Sequence, residues 1–144
     1  MKRGRQDSTI QLAVLALLPE HSDSTTLEAA VHACGGRWIR PARPDLTSLH
    51  FNRPVSVILY DRELPGRWQQ AVALLAELSW QPSVILLSLV NDQYLWEEVV
   101  RQGGYDVLPK TAKAEDITRL LRAAYAHWRS ARQPSAELAV HGSR

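Results

Sequence analysis

Residues 55–66 read VSVILYDRELPG. The run from Val55 to Tyr60 is apolar apart from the small Ser56, and it stops on a carboxylate, Asp61. A strand with one wet face alternates apolar and polar side chains. A run without alternation suits a strand covered on both faces, as the strands of a parallel sheet are. Pro65 and Gly66 then supply a turn. The same grammar recurs on either side. IQLAVLALL, residues 10–18, ends at Pro19, and SVILLS, residues 83–88, follows Pro82. RWIRPA at 37–42 and YDVL at 105–108 are shorter candidate strands.

Helical patterns separate these runs. In SDSTTLEAAVHACGG, residues 22–36, Leu27, Ala30, Val31 and Cys34 recur at helical spacing, and the two glycines supply a stop. DLTSLHF at 45–51 is at most a weak helix before Pro54. Trp68, Val72, Leu75 and Leu78 mark another helix, and Leu95, Val99 and Val100 mark one over about 91–102. The clearest runs over about 114–130, where Ile117, Leu120, Leu121, Ala124 and Trp128 form one stripe. Strand and helix thus alternate five times, which predicts an α/β protein with helices on both faces of a parallel sheet. The domain is expected over 9–131, with flexible tails at 1–8 and 132–144.

The 144 residues leave room for one domain. Basic and acidic residues nearly balance, 17 against 15, and the basic ones that cluster lie at the ends. That is not the clustered basic face that direct nucleic-acid binding needs. The single cysteine, Cys34, excludes an intramolecular disulfide and a cysteine-rich zinc site. No apolar run approaches the ~20 residues of a membrane span. The opening MKRGRQDST and the run after it lack a small-residue cleavage site. A cytoplasmic location without membrane attachment is the expectation. Neither a glycine-rich phosphate loop nor a serine elbow is present, and the five histidines lack ligand spacing.

In a parallel α/β sheet, function gathers at the carboxyl ends of the strands. Asp61 ends the third strand, Ser88 ends the fourth, and Lys110 follows the fifth. Taken singly, each has a bland use as a cap, a turn former or a solvated charge. Together, a carboxylate, a hydroxyl and an ammonium suit a phosphoryl group. The carboxylate attacks phosphorus or holds a metal, and the other two donate to phosphate oxygens.

Three segments carry a resemblance. VILYDRELPG resembles the phosphoacceptor strand and turn of response-regulator receiver domains, the CheY-like family. VILLS is similar to that family's fourth strand, which ends in Ser or Thr. GGYDVLPKT is similar to its Gly-Ala-x-Asp-Tyr-Leu-x-Lys-Pro segment, and the 22-residue step from Ser88 to Lys110 agrees. The resemblance covers roughly residues 9–130 and looks like an atypical stand-alone bacterial subgroup. It implies a flavodoxin-like (βα)5 fold, a three-layer sandwich with a five-stranded parallel sheet in the order 2-1-3-4-5. It implies that Asp61 accepts a phosphoryl group from a histidine kinase or phosphotransfer protein. Ser88 would hydrogen-bond the phosphoryl oxygens and Lys110 would pair with the phospho-aspartate. Mg²⁺ would be held by Asp61, the backbone carbonyl of Glu63 and an acid after the first strand.

The pattern breaks at three places. Receivers usually carry two adjacent acids after the first strand, and here the segment reads ALLPEHSD. The best register offers Glu20, and a slight shift offers Asp23, so weakened Mg²⁺ binding is expected. Val107 stands where an aromatic switch residue is usual, with Tyr105 expected to share its strand parity. Thr111 replaces a proline, so the Lys110–Thr111 peptide is expected to be trans.

Tyr94, Trp96 and Val107 fall on the face that receivers use for docking, which implies a partner protein or a homodimer there. Simple packing of at least one of the two aromatics is the competing reading, and Trp128 is expected in the core. Too few residues follow the last helix for a DNA-binding domain, so the output is expected from a separate protein. The function implied is a two-component receiver, not an enzyme, acting through protein–protein interaction. The alternative is a phosphorylation-independent pseudo-receiver that serves as an interaction module.

Overall fold

A computed structural model describes residues 11–46 and 54–132. The strands are β1 (Ala13–Leu17), β2 (Arg37–Ile39), β3 (Val57–Asp61), β4 (Ser83–Ser88) and β5 (Asp106–Pro109). The helices are α1 (Thr25–Ala33), α2 (Trp68–Ala76), α3 (Gln93–Arg101) and α4 (Ala114–Ala131). All strand pairs are parallel, in the order β2-β1-β3-β4-β5. This is the flavodoxin-like arrangement that the resemblance implies. The weak helix expected at 45–51 lies largely outside the described residues. So do the expected tails, apart from Arg132, which caps α4.

Strand period decides which layer each side chain enters. Ile58 and Tyr60 of β3 join Leu15, Leu17, Leu86 and Val107 on one face of the sheet. Trp68, Val72 and Leu75 of α2 and Leu95 and Val99 of α3 cover that face. Val57 and Leu59 join Val14, Ala16, Ile85 and Leu108 on the other face, under Val31 of α1 and Ile117, Leu121 and Ala124 of α4. Every residue of β1, β3 and β4 is buried, which is why these strands read as continuous apolar runs. Each large aliphatic side chain so placed contributes about 1.5–3 kcal/mol.

Small polar groups and glycines fit the same layers. The Ser56 hydroxyl donates to Ala13 O and accepts from Ala13 N, so this buried group joins β1 to the start of β3. Ser83 Oγ donates to Ala124 O of α4. After α3, Gly103 takes a positive φ of 95°. A Cβ on Gly104 would stand 2.6 Å from Val99 Cγ1. The α3–β5 connection therefore needs both glycines.

Two expectations for β5 are corrected. Val107 was expected at the partner surface, but it is 4% exposed and packs beneath α2 and α3. Tyr105 was expected to share its parity. It precedes β5 and packs with the opposite core beside α4, its ring 5.0 Å from that of His127. Alternation holds only within the strand, and Tyr105 is outside it.

Candidate functional site

Asp61 is the last residue of β3 and shares the parity of Val57 and Leu59, so it faces the α1–α4 side. There it lines a cleft of about 330 Å³ together with Leu18, Asp23, Leu87, Leu108 and Lys110. The walls mix apolar and polar side chains, and Asp61 is only 3% exposed. A carboxylate so buried needs partners. Lys110 Nζ lies 2.9 Å from Asp61 Oδ1, and Glu63 N donates to the same oxygen at 2.8 Å. Lys110 also lies 3.6 Å from Glu63 Oε2, whose side chain is exposed. Burial, with the Asp61 charge beside it, pushes the Tyr60 phenol up, so that group stays protonated.

Strand pairing brings Lys110 to this place. The end of β5 pairs with the end of β4, and Lys110 N donates to Ser88 O at 2.9 Å. Arg62 N donates to Leu87 O, and Leu64 N to Asp61 O, which holds the turn after β3. The Lys110–Thr111 peptide is trans.

Ser88 is 2% exposed but is not among the residues lining the cleft. Its Oγ accepts from Val90 N at 3.1 Å and from Arg62 Nη1 at 3.2 Å. The structure thus joins Asp61 and Lys110 directly, and brings Ser88 in through the arginine that follows Asp61.

The β1–α1 loop is arranged differently. Arg40, just after β2, reaches across to it. Its Nη2 donates to Pro19 O at 2.7 Å, and its Nη1 donates to Ser22 O and Ser24 Oγ, each at 3.0 Å. Glu20, the preferred metal ligand of the sequence reading, is exposed and stands outside the residues lining the cleft. That expectation is corrected, because in this loop the Glu20 carbonyl, not its carboxylate, is engaged, by Arg40 at 3.4 Å. Asp23 does line the cleft. Its Oδ1 accepts from Thr25 Oγ1 at 2.7 Å and Thr25 N at 2.9 Å, and these hydrogen bonds hold its carboxyl below the usual carboxylate range.

Asp61 and Asp23 line the same cleft, and among the described residues no further acid joins them there, so the acid set is incomplete. Mg²⁺ favours an octahedral oxygen shell built on carboxylates and water. Among the described residues, no three His, Cys, Asp or Glu side chains gather at one point. Asp61 Oδ1 faces an ammonium, and Asp23 Oδ1 is occupied by Thr25.

Sequence reasoning missed Arg62 and Arg40. The available signals were positional: one arginine directly follows the strand-ending Asp61, and the other directly follows a short strand. On the proposed docking face, Tyr94 is 77% exposed and Trp96 is 40% exposed. Trp128 is buried, and its Nε1 donates to Trp80 O at 2.9 Å. No helix among the described residues is long and apolar enough to cross a membrane.

No protein-family model and no curated protein sequence matches the chain. Solved structures do. A response regulator from Thermotoga maritima is similar at 16% identity, with a TM-score of 0.68, over 81% of this chain and 99% of that one. CheY4 of Vibrio cholerae, a chemotaxis response regulator, is similar at 16% identity and a TM-score of 0.66, over 80% and 99%. The beryllofluoride-activated NtrC4 receiver domain dimer follows at 20% identity and 0.65, over 81% and 98%. At these identities the likeness concerns architecture: the chain has the CheY-like fold of response-regulator receiver domains.

Proposed function

We propose that this protein is a two-component receiver whose unit spans residues 9–131. Asp61 takes a phosphoryl group from a histidine kinase or phosphotransfer protein, and a separate output protein reads the change. One observation carries the reading. A 3%-exposed carboxylate at the carboxyl edge of the sheet meets an ammonium at 2.9 Å, beside a cleft open to a small ligand.

In the proposed step, an Asp61 carboxylate oxygen attacks phosphorus. The bond from phosphorus to the donor's imidazole nitrogen breaks, and that nitrogen takes up a proton. The product is an acyl phosphate. Lys110, already paired with Asp61, follows the growing charge onto the phosphoryl oxygens. Tyr94 and Trp96 are exposed, as are Leu89, Val90 and Val100, and they supply aromatic and apolar surface for a partner or a second copy.

The test is incubation with acetyl phosphate followed by intact mass. One phosphoryl adduct is expected on the wild-type chain and none on Asp61→Asn. No adduct on either would favour the phosphorylation-independent interaction module, a reading supported by the incomplete acid set.

A further inference from the structure

We propose that the cavity between residues 43–46 and the start of α2 binds a small carboxylate with an apolar, ring-bearing body. The proposal does not depend on the phosphoacceptor reading, and the cavity shares no lining residue with the Asp61 cleft.

Three observations converge. The first is room. The cavity holds about 550 Å³, a size at which pockets take small molecules. Tyr60 of β3 lines it from the sheet, on the face opposite Asp61. Gln70, Ala71 and Leu74 line it from α2, with Arg67 at the N-cap, a helical spacing that places them on one face. Leu46 and Leu64 add apolar walls. Leu74 remains 61% exposed, and an apolar ring against it would take that surface from water.

The second is a buried polar group. Tyr60 is 4% exposed, yet its hydroxyl has no hydrogen-bond partner among the described residues. A phenol can donate a hydrogen bond and accept one, and when buried it usually finds a partner. The buried polar residues Ser56, Asp61, Ser83 and Ser88 all have theirs. Because Tyr60 lines the cavity, a ligand oxygen there would complete it.

The third is the sign of the charge. Arg43 and Arg67 both line the cavity, and neither guanidinium has an ion-pair or hydrogen-bond partner among the described residues. Arg40, by contrast, is fully spent on the β1–α1 loop. Asp45 is the one acid among the lining residues, and it is already engaged. Two cations against one anion leave a net charge of +1 on the lining. No side chain caps the N-terminus of α2 and its first turn has no acid, so the positive end of the helix dipole is not offset. A guanidinium pairs with a carboxylate through two parallel hydrogen bonds. The lining charge matches a carboxylate monoanion better than a phosphate dianion.

The test titrates naphthoate, and separately the uncharged naphthamide, into the full chain while amide proton–nitrogen spectra are recorded. Naphthoate should bind with a roughly millimolar Kd, as suits a ligand of its size, and should move residues 43–46, 64–67 and 70–74. The double variant Arg43→Gln with Arg67→Gln should weaken naphthoate about tenfold or more, the worth of a charged hydrogen bond, and change naphthamide by no more than about twofold. Tyr60→Phe should weaken naphthoate by roughly two- to tenfold, the worth of a neutral one. No saturable shifts at these residues, equal affinity for the two ligands, or an unchanged naphthoate affinity in either variant would each overturn the proposal. Shifts centred on Asp23, Asp61 and Lys110 would overturn it too, because the carboxylate would then occupy the other cleft. Both arginines are exposed and Tyr60→Phe keeps the buried ring, so the variants are expected to fold.

Discussion

On the β3–β4–β5 side of the sheet's carboxyl edge, each charged side chain meets a partner at the end of another strand. Lys110 meets Asp61 at 2.9 Å, and Arg62 meets Ser88 at 3.2 Å. On the β1–β2 side, polar groups satisfy one another instead. Arg40 spends its guanidinium on backbone and hydroxyl oxygens of residues 19–24, and Asp23 spends its carboxylate on Thr25. β3 and β4 are buried throughout, whereas β2 is only partly buried. They differ in reach: the contacts of one side cross between strand ends, and those of the other end on the β1–α1 loop. The first arrangement leaves donors for a ligand, and the second makes a scaffold.

Lys110→Ala breaks the comparison most severely. Asp61 would be left buried beside a single backbone donor. Transfer from acetyl phosphate should fall about a hundredfold, the scale for losing one preorganised donor. Stability should fall by about 1–3 kcal/mol, read by urea melts, because the carboxylate loses its cationic partner. An unchanged rate would mean that the ion pair is only structural.

Arg40→Ala probes the scaffold side. Its hydrogen bonds to the loop are partly replaceable by water, so a loss of about 1–2 kcal/mol is expected. That corresponds to a melting-point drop of roughly 4–8 °C. Hydrogen exchange should quicken at residues 20–24 and stay the same at 61–64. Faster exchange at both would mean that the two sides are coupled, and the contrast would fail.

Tyr94→Ala with Trp96→Ala should move stability little, within about 0.5 kcal/mol per exposed site, while weakening any self-association seen by sedimentation. A large loss of stability would instead mark these aromatics as packing groups.

The smallest effect concerns Asp23. Its folded-state pKa lies below the ordinary value of 3.8 because Thr25 hydrogen-bonds the ionised form. Its contribution is therefore complete above that value and is lost as pH falls through the lower folded value. The melting-point difference between wild type and Asp23→Ala should be visible at pH 7 and should shrink towards pH 3. A difference that does not depend on pH would contradict this.

Much of the architecture was legible in the sequence because double-sided burial leaves an unbroken apolar run, as in VSVILY and SVILLS. The positions of Asp61 and Lys110 followed from where those runs stop, since parallel pairing carries their ends to one edge. Arg62 and Arg40 were not legible. A long side chain reaches several ångströms in directions that linear spacing does not encode, and Arg40 finds its partners 16–21 residues earlier. Glu20 misled because loop register sets which carboxylate faces the cleft. Tyr105 misled because strand parity was extended one residue ahead of the start of β5.

The most direct test of the phosphoryl-binding edge is an amide proton–nitrogen spectrum recorded while beryllium fluoride, an acyl-phosphate mimic, is titrated in. Shifts are expected to centre on residues 61–64, 88–90 and 110–112, with much smaller ones at 20–24 and none in Asp61→Asn. An unchanged spectrum, or shifts confined to the loop that Arg40 braces, would contradict the account.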